Sequence, residues 1–371
     1  MHRNSVVTRS SSVAQPASGT PSGPSRAATA FQEFIGSLRQ GWSNQLYPAL
    51  HRHYRQIDDG STAAKADQAI SEVSRTTLYQ WFSFIERHFQ RMKYSDPRWG
   101  LAQTFEQAPD WVRTRLAAAD QSPWLELDPA LDIPAYYGAI DIHQHPGNLV
   151  GADYDGLMYQ ASATSIHPNT RRFEAHERFA DRVLEHGRFR SVLNMGCGFG
   201  KCSLPIAARL PEARVIGIDL SAPCLRLAAA TLFDSGLTNV RFAQRNALQS
   251  GYADASFDLV TSTQLLHELP VEDIHRVLRE SFRLLQPGGQ VMHLDFRPRG
   301  RWMEFLIDGH SVRNNEGFMP AFNRMDMHEA LAAAGFEAIQ ITPFAETEGA
   351  TSADWPYWRF PWTLFSARKP G

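Results

Sequence analysis

Cysteine is scarce: Cys197, Cys202 and Cys224 are the three in 371 residues, and no two form a Cys-x-x-Cys pair. That argues against a disulfide framework or a cysteine-built metal site, and fits reduced thiols in an intracellular protein. An excess of either charge is missing too. With 37 Lys and Arg against 39 Asp and Glu, the net charge is −2 and the isoelectric point about 6.7. Nothing general draws such a chain to nucleic acid or to an anionic membrane. No apolar run nears the ~20 residues of a spanning helix, and no secretory apolar segment is present. What remains is a globular composition, 43% apolar and 20% charged, with room for one large or two ordinary domains.

Two phosphate-binding patterns fail in the stretch Ser191 to Asp219, SVLNMGCGFGKCSLPIAARLPEARVIGID. A dinucleotide fingerprint needs a third glycine where Lys201 stands, and a P-loop needs glycine and a hydroxyl where Met195 and Cys202 stand. The stretch does hold a short apolar strand, a bend with Gly196, Gly198 and Gly200, a helix from about Cys202, and a second strand ending on Asp219. Glycines without β-carbons let a ligand approach the backbone, and the helix start offers unpaired N–H groups. An acid at the tip of the second strand is placed to accept hydrogen bonds from ribose hydroxyls.

Residues 1–28 hold arginines but no acid among Ser, Ala, Pro and Gly. They are expected to form a disordered tail, with a mitochondrial transit peptide as the alternative. Residues 29–150 are expected to be a helical N-terminal domain that covers the substrate or makes a homodimer. Its stripes are Phe31, Phe34, Ile35, Leu38 and Trp42, then Leu78, Trp81, Phe82, Ile85, Phe89 and Met92. Pro48 is expected to kink or end the first helix. In AYYGAIDIHQHPGN, Asp141, His143 and His145 alternate as metal ligands on a strand would. A substrate-pocket role and plain structural hydrogen bonding are the other readings, and no metal is expected.

Residues 151–371 alternate strands and helices, which demands a parallel sheet covered on both faces. Strands are expected at Val240-Arg241-Phe242, in YADASFDLVTS, from Gln290 to Phe296, from Phe336 to Thr342 and in FPWTLFSAR, the last antiparallel. Together with G-x-G-x-G, the Pro287-Gly288-Gly289 turn and this closing pair, the pattern resembles class I S-adenosylmethionine (SAM)-dependent methyltransferases. The resemblance covers roughly residues 170–371 and is nearest to the ubiquinone/menaquinone-biosynthesis type. It implies an α/β fold with a seven-stranded doubly wound sheet, SAM as cofactor, and methyl transfer to a small molecule, O-methylation foremost. A non-catalytic SAM- or S-adenosylhomocysteine-binding module is the alternative. Ser262 to Leu265 reads STQL rather than an Asn-Pro-Pro-Tyr type, which counts against methylation of nucleic-acid amines. A cytoplasmic protein is expected, or one of the mitochondrial matrix.

The resemblance implies cofactor contacts from Asn194, Gly196, Gly198, Gly200, Asp219, Leu220, Asn246, Ala247, Gln264 and Tyr159. Asn194 stands where the motif usually has an acid, so cofactor attraction is expected to be weaker. His267 is the candidate base and Asp295 a second catalytic candidate at a strand end, while His293 is expected to be structural. Arg301, Trp302, Phe305, His310, Arg313, Phe318 and Phe322 are expected in an aromatic loop, as a lid or packed on the helical domain.

Overall fold

The computed structural model describes residues 25–107, 110–163, 173–351 and 356–371. Most of the expected N-terminal tail lies outside them; the first helix, Arg26–Gly41, starts three residues earlier than its stripe predicts. Eight strands form one sheet: β1 Leu125–Glu126, β2 Ser191–Met195, β3 Arg214–Asp219, β4 Val240–Gln244, β5 Phe257–Thr263, β6 Leu285–Phe296, β7 Glu337–Pro343 and β8 Trp362–Arg368. Their order is β1-β4-β3-β2-β5-β6-β8-β7. All neighbours are parallel except β8, which runs antiparallel between β6 and β7. The expected seven are all present. The eighth, β1, is a two-residue strand pairing Leu125 with Phe242 on the outer edge.

Winding proceeds from β2 outward through β3 and β4, then returns to β5 on the other side of β2. Ligands in such sheets gather beyond the carboxyl ends of strands where the winding reverses. Here those ends are Met195 on β2 and Thr263 on β5, which release the chain into the glycine bend and into Gln264. The strands read as near-continuous apolar runs because helices cover both faces; Val192, Leu193, Ile218, Leu259 and Val260 are fully buried. One boundary differs from expectation. Strand β6 begins at Leu285, and Pro287-Gly288-Gly289 is an irregularity within the ladder, where pairing jumps from Phe257↔Leu285 to Leu259↔Gln290.

Pro48 does not stop the N-terminal helix. A π-helical turn, Trp42–Leu46, absorbs the extra residue, and Pro48 falls in the first turn of the next helix, Tyr47–Ile57, where no N–H partner is needed. Trp42 is the keystone of this layer. Its ring stacks on Phe82 at 4.6 Å, meets Trp358 edge-on at 5.5 Å, and its Nε1 donates to the Phe82 carbonyl at 3.0 Å. The helical stripes and the sheet's C-terminal side thus share one core. Phe34, Trp81 and Phe84 stay about half exposed.

The expected aromatic loop after β6 is instead two helices, Arg301–Asn314 and Met319–Arg324. Trp302 stacks on Tyr54 at 4.5 Å and Phe305 on Tyr79 at 5.0 Å, so this segment is packed on the N-terminal helices. No helix among the described residues is long and apolar enough to cross a membrane.

The helix Asp155–Ala163 lies against the helix Ala222–Leu232. A β-carbon on Gly156 would come 2.5 Å from the Pro223 carbonyl oxygen. Gly156→Ala must therefore push the two helices apart, and overpacking of that kind costs ~1–3 kcal/mol. A melting temperature lower by a few degrees is expected in thermal denaturation; an unchanged one would show that this contact is slack.

Candidate functional site

At the winding reversal lies a cavity of about 800 Å³, the open space at its mouth included. The bend after β2 forms one wall. Gly196 and Gly198 hold φ of 62° and 53°. A β-carbon would stand 2.9 Å from Leu265 at the first and 3.3 Å from the Tyr159 ring at the second. Asp219 faces this bend from the end of β3: Oδ2 accepts from the Gly198 N–H at 2.7 Å and Oδ1 from the Ser221 N–H at 2.9 Å. Burial raises its carboxyl pKa, and those N–H groups oppose the rise. Leu220, Asn246, Ala247, Gln264 and Tyr159 line the same space.

Two expected contacts are not on the wall. Gly200, at φ 85°, faces Phe242 and Leu204 and serves the turn into the helix. Asn194 is fully buried inside the sheet, where Nδ2 donates to Thr261 Oγ1 at 3.0 Å and Oδ1 accepts from Ser203 Oγ at 2.8 Å. Both ends of its amide are thus engaged inside the protein, and it makes no direct contact with this cavity.

Several wall residues escaped sequence reasoning, Lys201 chief among them. Lys201 extends into the cavity, donates to the Tyr159 hydroxyl at 2.5 Å and to Gln264 Oε1 at 3.3 Å, and burial pushes its pKa down to about 8. The signal was visible only as the residue that broke the dinucleotide fingerprint.

A second cavity, about 680 Å³, adjoins the first and shares Tyr159, Gln264 and Glu268 with it. Trp42, Phe89, Tyr94, Phe296, Trp358 and Phe360 make most of it apolar and aromatic. Arg39 lines it too, its guanidinium 5.3 Å from the Phe89 ring centre; burial lowers the Arg39 pKa to about 10, with Glu86 opposing.

Between the cavities and the sheet runs a network of carboxylates and imidazoles. Glu86 accepts from Arg313 Nε and lies 2.5 Å from His310 Nδ1. His310 Nε2 is 3.1 Å from Glu316 Oε1, which also meets His143 Nδ1 at 3.0 Å. His143 Nε2 then reaches Glu268 Oε1 at 3.1 Å. Burial works against a proton on His143, but Glu316 and Glu268 outweigh it and push the pKa up to about 10.

The Asp-x-His-x-His fragment is not a strand. It is a 3-10 turn, Ile142–Gln144, with His143 at φ 55°, so its three side chains part company. Asp141 accepts from the Gly147 N–H at 3.0 Å, His143 enters the network, and His145 is buried beside Tyr94 at 5.0 Å between ring centres.

Known proteins resemble this arrangement. A methyltransferase-domain family profile matches residues 192–289. The demethylmenaquinone methyltransferase of Lactococcus lactis is 36% identical over 106 residues, 28% of this chain and 41% of that one. Methyltransferase GfsG of Streptomyces halstedii is 30% identical over 198 residues, 51% of this chain and 67% of that one. This chain belongs to the class I SAM-dependent methyltransferases. It spans about half the length, or less, of the demethylmenaquinone methyltransferases it matches. A solved Nostoc punctiforme protein described as a candidate O-methyltransferase is 15% identical, with 94% of this chain and all of that one overlapping at a TM-score of 0.49.

The cofactor of a class I methyltransferase is SAM, and the first cavity has groups that suit an adenosyl amino acid. It offers a carboxylate (Asp219), an ammonium (Lys201), two amides (Asn246, Gln264) and an apolar slot (Leu220, Ala247, Leu248). The catalytic candidates of this methyltransferase sit differently from expectation. His267 and Asp295 are paired, with Nδ1 2.6 Å from Oδ1, but Asp295 is fully buried and also accepts from the Leu266 and Phe296 N–H groups at 2.8 Å. Asp295 therefore orients His267 and lines neither cavity. His267 itself is 1% exposed and lines neither large cavity; Glu268 and His143 stand in front of it. His293 is structural in the expected way, 2.7 Å from Ser262 Oγ, with burial lowering its pKa to about 4.

Proposed function

We propose that this methyltransferase transfers the SAM methyl group to a hydroxyl oxygen of a flat, largely apolar small molecule seated in the second cavity. The observation carrying this is the wall the two cavities share. Methyl transfer needs the nucleophile, the methyl carbon and the sulfur in line, and holding them so can contribute ~7–11 kcal/mol. A SAM in the first cavity with its ribose on Asp219 would turn its sulfonium toward Gln264 and Tyr159, which face both cavities. The acceptor oxygen forms the new O–C bond as the C–S bond breaks, sulfur keeps the electron pair as S-adenosylhomocysteine, and the hydroxyl proton leaves to the carboxylate network edged by Glu268. A poised proton acceptor adds ~10²–10⁴-fold for a hydroxyl, which favours oxygen over a thioether that has no proton to lose.

Seven aromatic side chains around one space suit a planar ring, and Arg39 suits an acidic group on it. Radiolabelled SAM with a panel of phenols, hydroxy-aromatic acids, thiols and amines tests the reading. Label is expected in the hydroxy-aromatic acids; transfer confined to amines or thiols, or none with SAM bound, would overturn it.

Lys201 is the group we assign to the methionine carboxylate of SAM. Its depressed pKa, about 8, leaves it charged below that pH and neutral above. SAM affinity should fall as pH rises from 7 to 9, and fall less in Lys201→Met. Calorimetry at both pH values isolates the residue by the difference between the two slopes; equal slopes would remove it.

A further inference from the structure

The network behind the shared wall holds more carboxylate than guanidinium. Glu86, Glu268, Asp295 and Glu316 converge there, and Arg313 and Arg39 face them. Among the polar atoms in it buried without a hydrogen bond are His267 Nε2 and Glu316 Oε2. Their residues are 1% and 4% exposed. A buried polar atom left unmet costs ~1–3 kcal/mol, so two of them 3.9 Å apart mark a place where something else belongs.

We propose that His143, His267 and Glu268 hold a divalent first-row transition-metal ion. The candidate ligand atoms of the first three lie within 4.8 Å of one another. Glu268 Oε1 is 3.1 Å from His143 Nε2 and 4.0 Å from His267 Nε2. Ligand atoms ~2.1 Å from one tetrahedral ion stand ~3.4 Å apart, so the wider pairs close by roughly 1 Å as the ion enters. Each imidazole already has its far nitrogen held by a carboxylate: His267 Nδ1 by Asp295 Oδ1 at 2.6 Å, His143 Nδ1 by Glu316 Oε1 at 3.0 Å. That arrangement fixes the tautomer and aims Nε2 at a metal. Two nitrogens with carboxylate oxygens suit manganese, iron, cobalt or zinc, while magnesium and calcium prefer all-oxygen sets.

His143, Glu268 and Glu316 also border the second cavity, so the ion's open side would face the acceptor. This deepens the methyl-transfer reading and rests on it. The acceptor hydroxyl would bind the ion, become more acidic and release its proton to water, because the network's carboxylates are then engaged.

The test uses the untagged full chain, stripped with a chelator and titrated with Co²⁺, Zn²⁺, Mn²⁺ and Mg²⁺. Elemental analysis and Co²⁺ visible absorption are read alongside. One Co²⁺ or Zn²⁺ per chain is expected, with Mg²⁺ far weaker. His143→Ala and Glu268→Gln, at positions about a third and a fifth exposed, should each weaken Co²⁺ binding by at least ~10-fold, with circular dichroism showing each variant folded. Absence of stoichiometric metal, or Co²⁺ binding that survives both substitutions together, would overturn the inference. SAM calorimetry on the stripped protein separates the two ideas. SAM binding with no metal uptake in the titration contradicts the ion site alone; metal uptake with no SAM binding contradicts the methyl-transfer reading alone.

Discussion

Replacing Asp219 with alanine is expected to weaken SAM binding by about 10²–10⁴-fold. Two hydrogen bonds from ribose hydroxyls to a carboxylate contribute ~1.5–3 kcal/mol each, and each ~1.4 kcal/mol is a factor of ten in affinity. The same carboxylate clamps the Gly198 N–H at 2.7 Å and the Ser221 N–H at 2.9 Å. Its loss therefore loosens the bend that must close on the ligand and leaves two N–H groups without their partner. Asp219→Asn should lose less, because one amide oxygen still accepts. Calorimetry of both variants checks this. A change below about threefold in the alanine variant would mean that the ribose lies elsewhere.

Glu86→Gln is expected to cost about 3–5 kcal/mol of stability, the range for removing one member of a buried ion pair. Glu86 is 1% exposed, meets both Arg313 and His310, and ties the helix Thr77–Ser95 to the helix Arg301–Asn314. Glutamine keeps the size but leaves the buried Arg313 without its counter-charge, and His310 with Glu316 alone. The pH dependence has a definite sign. Burial alone would raise the Glu86 pKa, yet Arg313 and His310 hold it below its ordinary 4.5. Its contribution is complete above that value and lost as pH falls through the folded pKa. His310 works in the other direction: burial disfavours its proton, but Glu316 and Glu86 push its pKa up to about 9. Its contribution is complete below its ordinary 6.5 and lost as pH rises through about 9. Denaturant titration across pH should show both limbs flattened in Glu86→Gln; parallel curves would show that the pair does not stabilise the fold.

Local patterns carried the sheet into view. Apolar runs, glycine bends and the acid after β3 each declare themselves within a few residues, because parallel strands and tight turns impose strong local chemistry. Residues 301–314 show the limit. Trp302, Leu306, Ile307, His310 and Arg313 have helical spacing, yet their aromatic and basic content suggested a loop; what they pack on, Tyr54, Tyr79 and Glu86, lies more than 200 residues earlier. The carboxylate–imidazole network is a product of tertiary structure in the same way. His143, His267 and Glu316 have no common sequence signal, and the fragment that held His143 suggested a strand. Asn194 misled for the opposite reason: motif position placed it at the ligand, while Thr261 and Ser203 had claimed both ends of its amide.

A structure of the chain grown with S-adenosylhomocysteine tests the central claim most directly. The account predicts ribose hydroxyls on Asp219, adenine between Leu220 and Ala247, and the sulfur beside Gln264 where the two cavities join. Ligand bound elsewhere at saturating concentration, or the bend beside Asp219 closed by the protein's own side chains, would contradict it.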